Sequence, residues 1–336
     1  MKIHDPVTGF LYPDEWVKAC RDSDALGEVK TGRAILTSSG TILRRGFTTG
    51  TTAAAACKAA VLSLCEPVPS VFITLPCNLR YEVIAEGRDG RGSARKYPGD
   101  YMNDITADLL FCAEATETES GITLVVGEGV GRFVRKTPRY QVGDAAISPP
   151  AMAAIQTAIE EAARDLNLKG VSVALTIPDG AEIGKQTLNP KVGVEGGISV
   201  LGSTGLVEPW DDHLSEDVFE RIRSVEMPVL TTGRVGLRYA RMHFPDHEVI
   251  LVGKFMERGI EAAQGRAVLC GLPALILKFI NPHILDGTGY GTVEELTMSP
   301  RWKDIMRDNL AEYAQRRPGV RVVIIDREGR IQGDSL

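Results

Sequence analysis

Residues 228–272 read PVLTTGRVGLRYARMHFPDHEVILVGKFMERGIEAAQGRAVLCGL. Three short apolar runs, PVLTTGR, EVILVGK and RAVLCGL, are separated by LRYARMHF and FMERGIEAAQG, each of the length a helical crossover needs. Strand alternating with helix predicts a parallel sheet with helices on its faces. A fourth run, VRVVIID, follows the helical pattern WKDIMRDNLAEYAQRR, which Pro318 and Gly319 stop. Residues 227–336 are therefore expected to form an α/β domain. Such sheets bind ligands outside the carboxyl ends of their strands, where Thr231, Thr232, Gly233, Arg234 and Gly253 stand. Asp326, ending VVIID, suits either ribose hydroxyls or a cap on the turn DREG, and both readings stay open.

Upstream, residues 41–226 read as an α+β domain. From Thr49 to Cys65, Ala53, Ala56, Ala60 and Leu64 recur at helical spacing, and only Lys58 is charged, which predicts a helix inside a core. Pro67 and Pro69 stop it, and VFITLP and RYEVIAEG read as short strands. DITADLLFCAEATETESGITLVVGEGVGRFVR reads as two strands joined by an acidic turn. SPPAMAAIQTAIEEAARDLNLKG is a helix with Ser148 as N-cap, Pro149 in its first turn, Gly170 at its end and a stripe of Met152, Ile155, Ile159, Ala162 and Leu166. GVSVALTIP is a further strand. The glycine-rich stretch after it predicts strands and tight turns where backbone comes close to something. Residues 1–40 read as an irregular arm with one short helix around Asp14–Arg21.

The 336 residues carry a net charge of −6, which argues against a nucleic-acid partner. The six cysteines show no CxxC pairing, so they read as reduced thiols of a cytoplasmic protein. MKIHDPVTGFLYPDEW lacks the apolar core of a signal peptide, and no run is long enough to span a bilayer; a soluble protein without a membrane partner is expected. The five histidines show no metal-ligand spacing, so no metal bound by the protein's own side chains is expected. Homo-oligomerisation is left open.

GFTTGTTAAAA (46–56) crowds hydroxyls around Gly50 at a helix entry. One threonine suffices for a cap; four suggest a hold on an anion or carboxylate. Gly127, Gly129 and Gly131 mimic a dinucleotide fingerprint, but basic, proline-broken RFVRKTPRYQVGD follows instead of a helix, and a hairpin or bulge is expected. Arg132, Arg135, Lys136 and Arg139, with Arg44 and Arg45, suit a ligand bearing several carboxylates.

In order, RRGFTTGTTAAAACKAA, GDYMNDIT, GEGVGRFVR, GDAAISPPAM, IPDGAEIGKQTLNPKVGVEGGISVLGSTGLVEP and TTGR resemble the CbiD family, the cobalt-precorrin-5B C1-methyltransferases of anaerobic cobalamin biosynthesis. The resemblance runs from about Arg44 to Gly271. It implies transfer of a methyl group from S-adenosylmethionine to C1 of a cobalt-containing polycarboxylate tetrapyrrole, giving cobalt-precorrin-6A. It also implies a two-domain architecture, an N-terminal mixed α+β domain and a smaller, Rossmann-like C-terminal domain with a parallel sheet. Under it, Thr48, Thr49, Gly50 and Thr51 hold a carboxylate, and Arg45, Arg132 and Arg135 bind those of the macrocycle. Asn189, Gly196, Gly197 and Thr204 bring backbone to the ring. Asp104, Asp179 or Glu208 takes a proton or polarises the substrate, and Thr231, Thr232, Gly233, Arg234 and Gly253 hold the cofactor. The chain departs from the family pattern at Thr52, where cysteine is common, at Tyr101, Met102 and Asn103, and in INPHILDGTGYGTVEEL, where a His-containing segment is often found. Two other readings fit the residues: a small-molecule kinase with nucleotide phosphate at the Gly/Thr-rich entry, and a non-catalytic corrinoid-binding protein.

Overall fold

The computed structural model describes residues 2–22, 24–101, 104–137, 139–209 and 218–336. Met102, Asn103 and His213 lie outside them. Contacts divide the chain into two compact units, Arg44–Asp211 and a second made of Met1–Leu43 with Asp212–Leu336.

The first unit is built on six strands, β1 (Val68–Thr74), β2 (Arg80–Arg88), β3 (Arg91–Arg95), β4 (Leu110–Glu117), β5 (Gly121–Val126) and β6 (Gly170–Thr176), in the order β1-β2-β3-β4-β6-β5. Neighbours are antiparallel except β6 and β5. The two strands expected either side of the acidic turn, β4 and β5, are present, and β6 lies between them in the sheet. Apolar GVSVALT fills the interior place, and the more exposed GITLVV takes the edge. Pro69 sits inside β1 rather than before it; β1 is the other edge, and its register slips between Val68 and Ser70, as an edge strand with proline allows.

The small-residue helix α1 (Thr49–Leu62) packs against strands of this sheet and against α2 (Pro149–Asp165). Ala53–Ala56, Cys57, Ala59 and Ala60 are 0% exposed. A methyl group on Gly92 would lie 2.2 Å from the Ala56 carbonyl oxygen, and one on Gly87 2.4 Å from that of Ala59. On the other side, one on Gly50 would lie 2.7 Å from the Ala151 Cβ. The sequence is bland because neither neighbour leaves space for a larger side chain. Its one charge, Lys58, is buried in an ion pair with Glu161 of α2 and donates to the Phe72 carbonyl at 2.9 Å. Ser148 stands at the N-cap of α2, but its hydroxyl is buried and makes no cap bond.

The glycine-rich stretch contains two helices that were not expected, α3 (Gly180–Gln186) and a short turn over Asn189–Val192. What its backbone approaches is other backbone. Gly129–Val130 pairs in parallel with Gly197–Ile198, and Arg132 bridges to Ala145 across the following loop. Methyl groups on Gly129, Gly180, Gly184 and Gly197 would lie 1.8–2.3 Å from carbonyl oxygens of Ile177, Gly129, Gly197 and Gly129 respectively.

The second unit carries the expected parallel strands β7 (Val229–Thr231), β8 (Val249–Leu251), β9 (Ala267–Gly271) and β10 (Val320–Ile325), with an antiparallel edge strand β11 (Ile331–Asp334), in the order β8-β7-β9-β10-β11. Helices α4 (Gly233–His243), α5 (Met256–Ala262), α6 (Pro273–Ile280) and α7 (Trp302–Arg316) connect them. Leu230, Ile250, Leu269, Val322 and Ile324 form one core with Ile260, Ile276, Leu277 and Leu310. The chain leaves β7 toward β8 and returns to β9 on the other side, so the strand order reverses at β7 and β9. That switch opens a crevice at their carboxyl ends.

Residues 1–40 are not an irregular arm. They carry helices at Asp14–Ala19 and Ala25–Thr31 and a strand at Ala34–Leu36, and they pack on α4. Phe10 meets Tyr239 with ring centroids 5.4 Å apart, Trp16 meets His243 at 5.2 Å, and the Ser38 amide donates to the Met242 carbonyl at 2.9 Å. The unit boundaries therefore fall at 43 and 211 rather than at the expected 40 and 226.

Candidate active site

The threonines at the entry to α1 are engaged within the protein. Thr48 Oγ1 accepts from the Thr51 amide at 3.2 Å, and the Thr52 amide donates to the Thr48 carbonyl at 3.0 Å. The Gly50 amide donates to the Leu201 carbonyl at 2.8 Å. Thr51 Oγ1 donates to the Gly205 carbonyl at 2.7 Å, and Thr49 Oγ1 accepts from the Leu201 amide at 2.8 Å while facing the Ser199 carbonyl at 3.1 Å. These bonds staple the 199–205 loop to the helix. The Gly50, Thr51 and Thr52 amides, which could hold an anion, thus already have partners, and the threonine cluster fixes the 199–205 loop.

Arg45 follows the same logic. It is 0% exposed, and its Nε donates to Glu208 Oε2 at 3.3 Å. The two meet because Gly46–Phe47 pairs antiparallel with Leu206–Val207, and on its other side the same chain bridges to Gly99 at Arg45. The Arg45 guanidinium is thus engaged inside the protein with Glu208 rather than exposed at the surface. On the neighbouring segment Lys96 and Asp104 form a second buried ion pair. The Asp104 carboxylate also accepts from the Thr106 amide at 2.9 Å and hydroxyl at 2.6 Å. Burial favours its neutral form, but the Lys96 charge and the bonds from Lys96 and Thr106 outweigh this and hold the carboxyl below the ordinary aspartate value. Asp104 and Glu208 are thus carried by segments that flank one short strand, and each pairs with a buried cation.

Lys96 was not singled out in the sequence. The signal was present: Gly92, Ala94 and Lys96 alternate on the buried side of β3 and its extension, which is an unusual place for an ammonium group.

The other expected residues are more scattered. Asp179 is exposed on the turn into α3. Asn189 is buried; its amide donates to the Gly197 carbonyl at 2.9 Å and accepts from Ser199 Oγ at 2.9 Å, which ties it to the same loop system as Thr49. Thr204 closes a turn onto Leu206, while Gly196 faces open space. Arg132 donates to the carbonyls of Val126 and Gly143, and Arg135 to that of Lys191 while lying over Gly193. Both side chains remain exposed.

In the second unit the expected ligand residues do meet. Thr231, Thr232 and Gly233 lead from β7 into α4, and the Val252 amide, next to Gly253, donates to the Thr231 carbonyl at 2.9 Å. Thr231 Oγ1 is buried and, among the described residues, has no hydrogen-bond partner. Thr232 offers no side-chain cap to α4, and a methyl group on Gly253 would meet nothing within 4 Å. Arg234 is exposed on the first turn. Asp326, by contrast, caps its own turn: it accepts from the Glu328 and Arg330 amides, from Arg330 Nε and from Gln332 Nε2 at 2.7–3.0 Å. All its acceptor positions are filled, and the ribose reading of this residue is withdrawn.

Among the described residues no three His, Cys, Asp or Glu side chains group to hold a metal ion, and no helix is long and apolar enough to cross a membrane. The CbiD family model matches residues 36–209, a span that takes in nearly all of the first unit. The chain belongs to the CbiD family. Curated CbiD-like relatives extend the likeness through the second unit. The cobalt-precorrin-5B C(1)-methyltransferase of Methanoculleus marisnigri is 55% identical over 99% of each chain. That of Methanoregula boonei is 54% identical over 99% of this chain and all of its own. A crystal structure of the cobalamin biosynthesis protein CbiD from Archaeoglobus fulgidus, 36% identical, covers 96% of this chain with a TM-score of 0.57.

Proposed function

We propose that this protein methylates C1 of cobalt-precorrin-5B, with S-adenosylmethionine as donor, to give cobalt-precorrin-6A. The observation that carries the reading is identity above one half, along the whole chain, to methyltransferases of that name. Such a donor supplies a methyl group on a sulfonium sulfur; the S–C electron pair stays on sulfur, and one proton leaves the ring to balance the charge. No strong nucleophile is required of the protein, and alignment of the reactants supplies much of the acceleration, roughly 7–11 kcal/mol in favourable cases.

The residues present fit a donor with a carboxylate. The start of α4 offers amides without a side-chain cap beside exposed Arg234, Gly233 and Gly253 leave room there, and the Thr231 hydroxyl, buried against Gly236, has no partner among the described residues. In the other unit we assign Glu208 to accept the released proton and Asp104 to fix the Lys96 ammonium as an electrostatic partner of substrate carboxylates. Glu208 is the more open of the two, at 15% side-chain exposure against 9%. Arg132 and Arg135 serve at the surface. Cobalt arrives inside the substrate, so no ligand set of the protein is needed for it. Against the kinase reading, the Gly50, Thr51 and Thr52 amides and the Thr48, Thr49 and Thr51 hydroxyls at the helix entry that would bind phosphate are already paired within the protein.

Incubation of the purified chain with S-adenosylmethionine and cobalt-precorrin-5B tests this. A product one methyl group heavier and an equivalent of S-adenosylhomocysteine are expected; binding of the macrocycle without turnover would favour a carrier instead.

A further inference from the structure

The second unit holds a cavity of about 380 Å³ where β9 and β10 end, between the entry to α6 and the turn after β10. This is the size of a small-molecule site and its usual place in an open α/β sheet. Leu272, Pro273, Met298 and Trp302 form its apolar wall. Met298 is 83% exposed, a large apolar side chain left over an opening. The rim carries three carboxylates, Glu294, Asp326 and Glu328, against two guanidinium groups, Arg327 and Arg330. That balance gives no advantage to a nucleoside triphosphate or to a polycarboxylate ring. It suits a flat neutral heterocycle that bears hydroxyl donors and adjoins a positive charge.

Asp326 has no acceptor position to offer, as described above. Glu294 and Glu328 do: among the described residues each side chain is held only by an exposed ion pair, to Arg327 at 3.0 Å and Arg330 at 3.1 Å, and such pairs exchange partners readily. The cavity also adjoins the donor residues. β9 lies beside β7, at the usual strand spacing of about 4.8 Å. The nearest atom to a methyl group built on Gly233 is Leu275 Cδ1, 3.7 Å away on α6, whose first residues wall the cavity.

We infer that this cavity receives the nucleoside half of the sulfonium donor. The purine lies against Trp302 and Leu272, and the ribose hydroxyls donate to Glu328 and Glu294. The carboxylate end then reaches back to the start of α4. The inference rests on the donor reading above and adds the place where the adenosine half binds.

Calorimetric titration of the full chain with S-adenosylhomocysteine, and separately with adenosine, tests it in the wild type, Ala274→Trp and Glu328→Gln. Ala274 lines the cavity from an exposed position, so an indole there fills the space without entering the core. Glu328 is exposed, so its amide variant keeps the fold should the indole disturb α6. Both ligands are expected to bind the wild type, at least tenfold more weakly to Ala274→Trp and several-fold more weakly to Glu328→Gln. Unchanged affinity in both folded variants overturns the cavity assignment and leaves the donor reading standing. Adenosine binding that Ala274→Trp abolishes, with no binding of S-adenosylhomocysteine, keeps the cavity as a nucleoside site and removes the donor reading. Binding of neither ligand to the wild type removes both.

Discussion

Lys96 and Asp104 pair where little water reaches either side chain, and the Lys96 charge helps to hold the Asp104 carboxyl low. Deleting one member of such a pair leaves an unpaired buried charge and typically costs about 3–5 kcal/mol, whereas replacing both by apolar groups is often neutral. Lys96→Met is therefore expected to lower stability by that order, and Lys96→Met with Asp104→Leu to recover most of it, by urea denaturation. The pH dependence has a defined sign. The folded-state value of Asp104 lies below the unfolded one, about 3.9, so the stabilisation is complete above that pH and is lost as pH falls through the folded value. In Lys96→Met the ammonium is gone while burial and the Thr106 bonds remain, so the acid-sensitive region moves upward. At this scale the sequence disclosed residue type better than residue role. Asp104, Glu208 and Arg45 were all named, but that Arg45 grips Glu208 depends on pairing between segments about 160 positions apart.

Helix α1 shows what periodicity can and cannot reveal. Its apolar run predicted a buried helix, and its flat composition hid which neighbours press on it, because alanine and glycine carry no directional pattern. The close approach is read from Gly92 and Gly87, whose missing side chains admit the helix backbone. Gly92→Ala would place a methyl group 2.2 Å from the Ala56 carbonyl oxygen, and overpacking of this kind costs about 1–3 kcal/mol. Gly27→Ala is the control: it lies in the helix Ala25–Thr31 with nothing within 4 Å, and alanine there should stabilise by about 0.5–1 kcal/mol. Opposite shifts in the denaturation midpoint are expected, and a harmless Gly92→Ala would mean that helix and sheet do not pack so closely. Two features lie beyond local pattern. The acidic turn joins β4 to β5, as expected, but that β6 lies between them is not written in either strand, and β11 is polar with Ile331 half exposed, so its place comes from backbone pairing with β10 rather than from any alternation.

At the scale of the whole chain, the second unit is assembled from its two ends. The parallel sheet was legible because each strand and crossover is local, but nothing in residues 1–40 announces that Phe10 and Trp16 cover α4, a contact more than 200 positions away. His243 reports on this cover. Burial pushes its imidazole below the ordinary value of 6.5, against a smaller upward pull from the Gly329 carbonyl, to which the ring nitrogen lies at 2.7 Å. Because the folded value is the lower one, the neutral, covered state is stabilised above about pH 6.5, and that contribution is lost as pH falls through the folded value. Trp16→Ala removes the ring that meets His243 edge-on at 5.2 Å and lets water reach the imidazole. Removal of a buried aromatic costs about 3–5 kcal/mol, so a fall in melting temperature is expected as well. The reading specific to the cover is the His243 titration followed by NMR: below 6.5 in the wild type, and closer to 6.5 in Trp16→Ala under conditions where the variant stays folded. Equal titration in the two proteins would mean that the N-terminal segment does not shield α4.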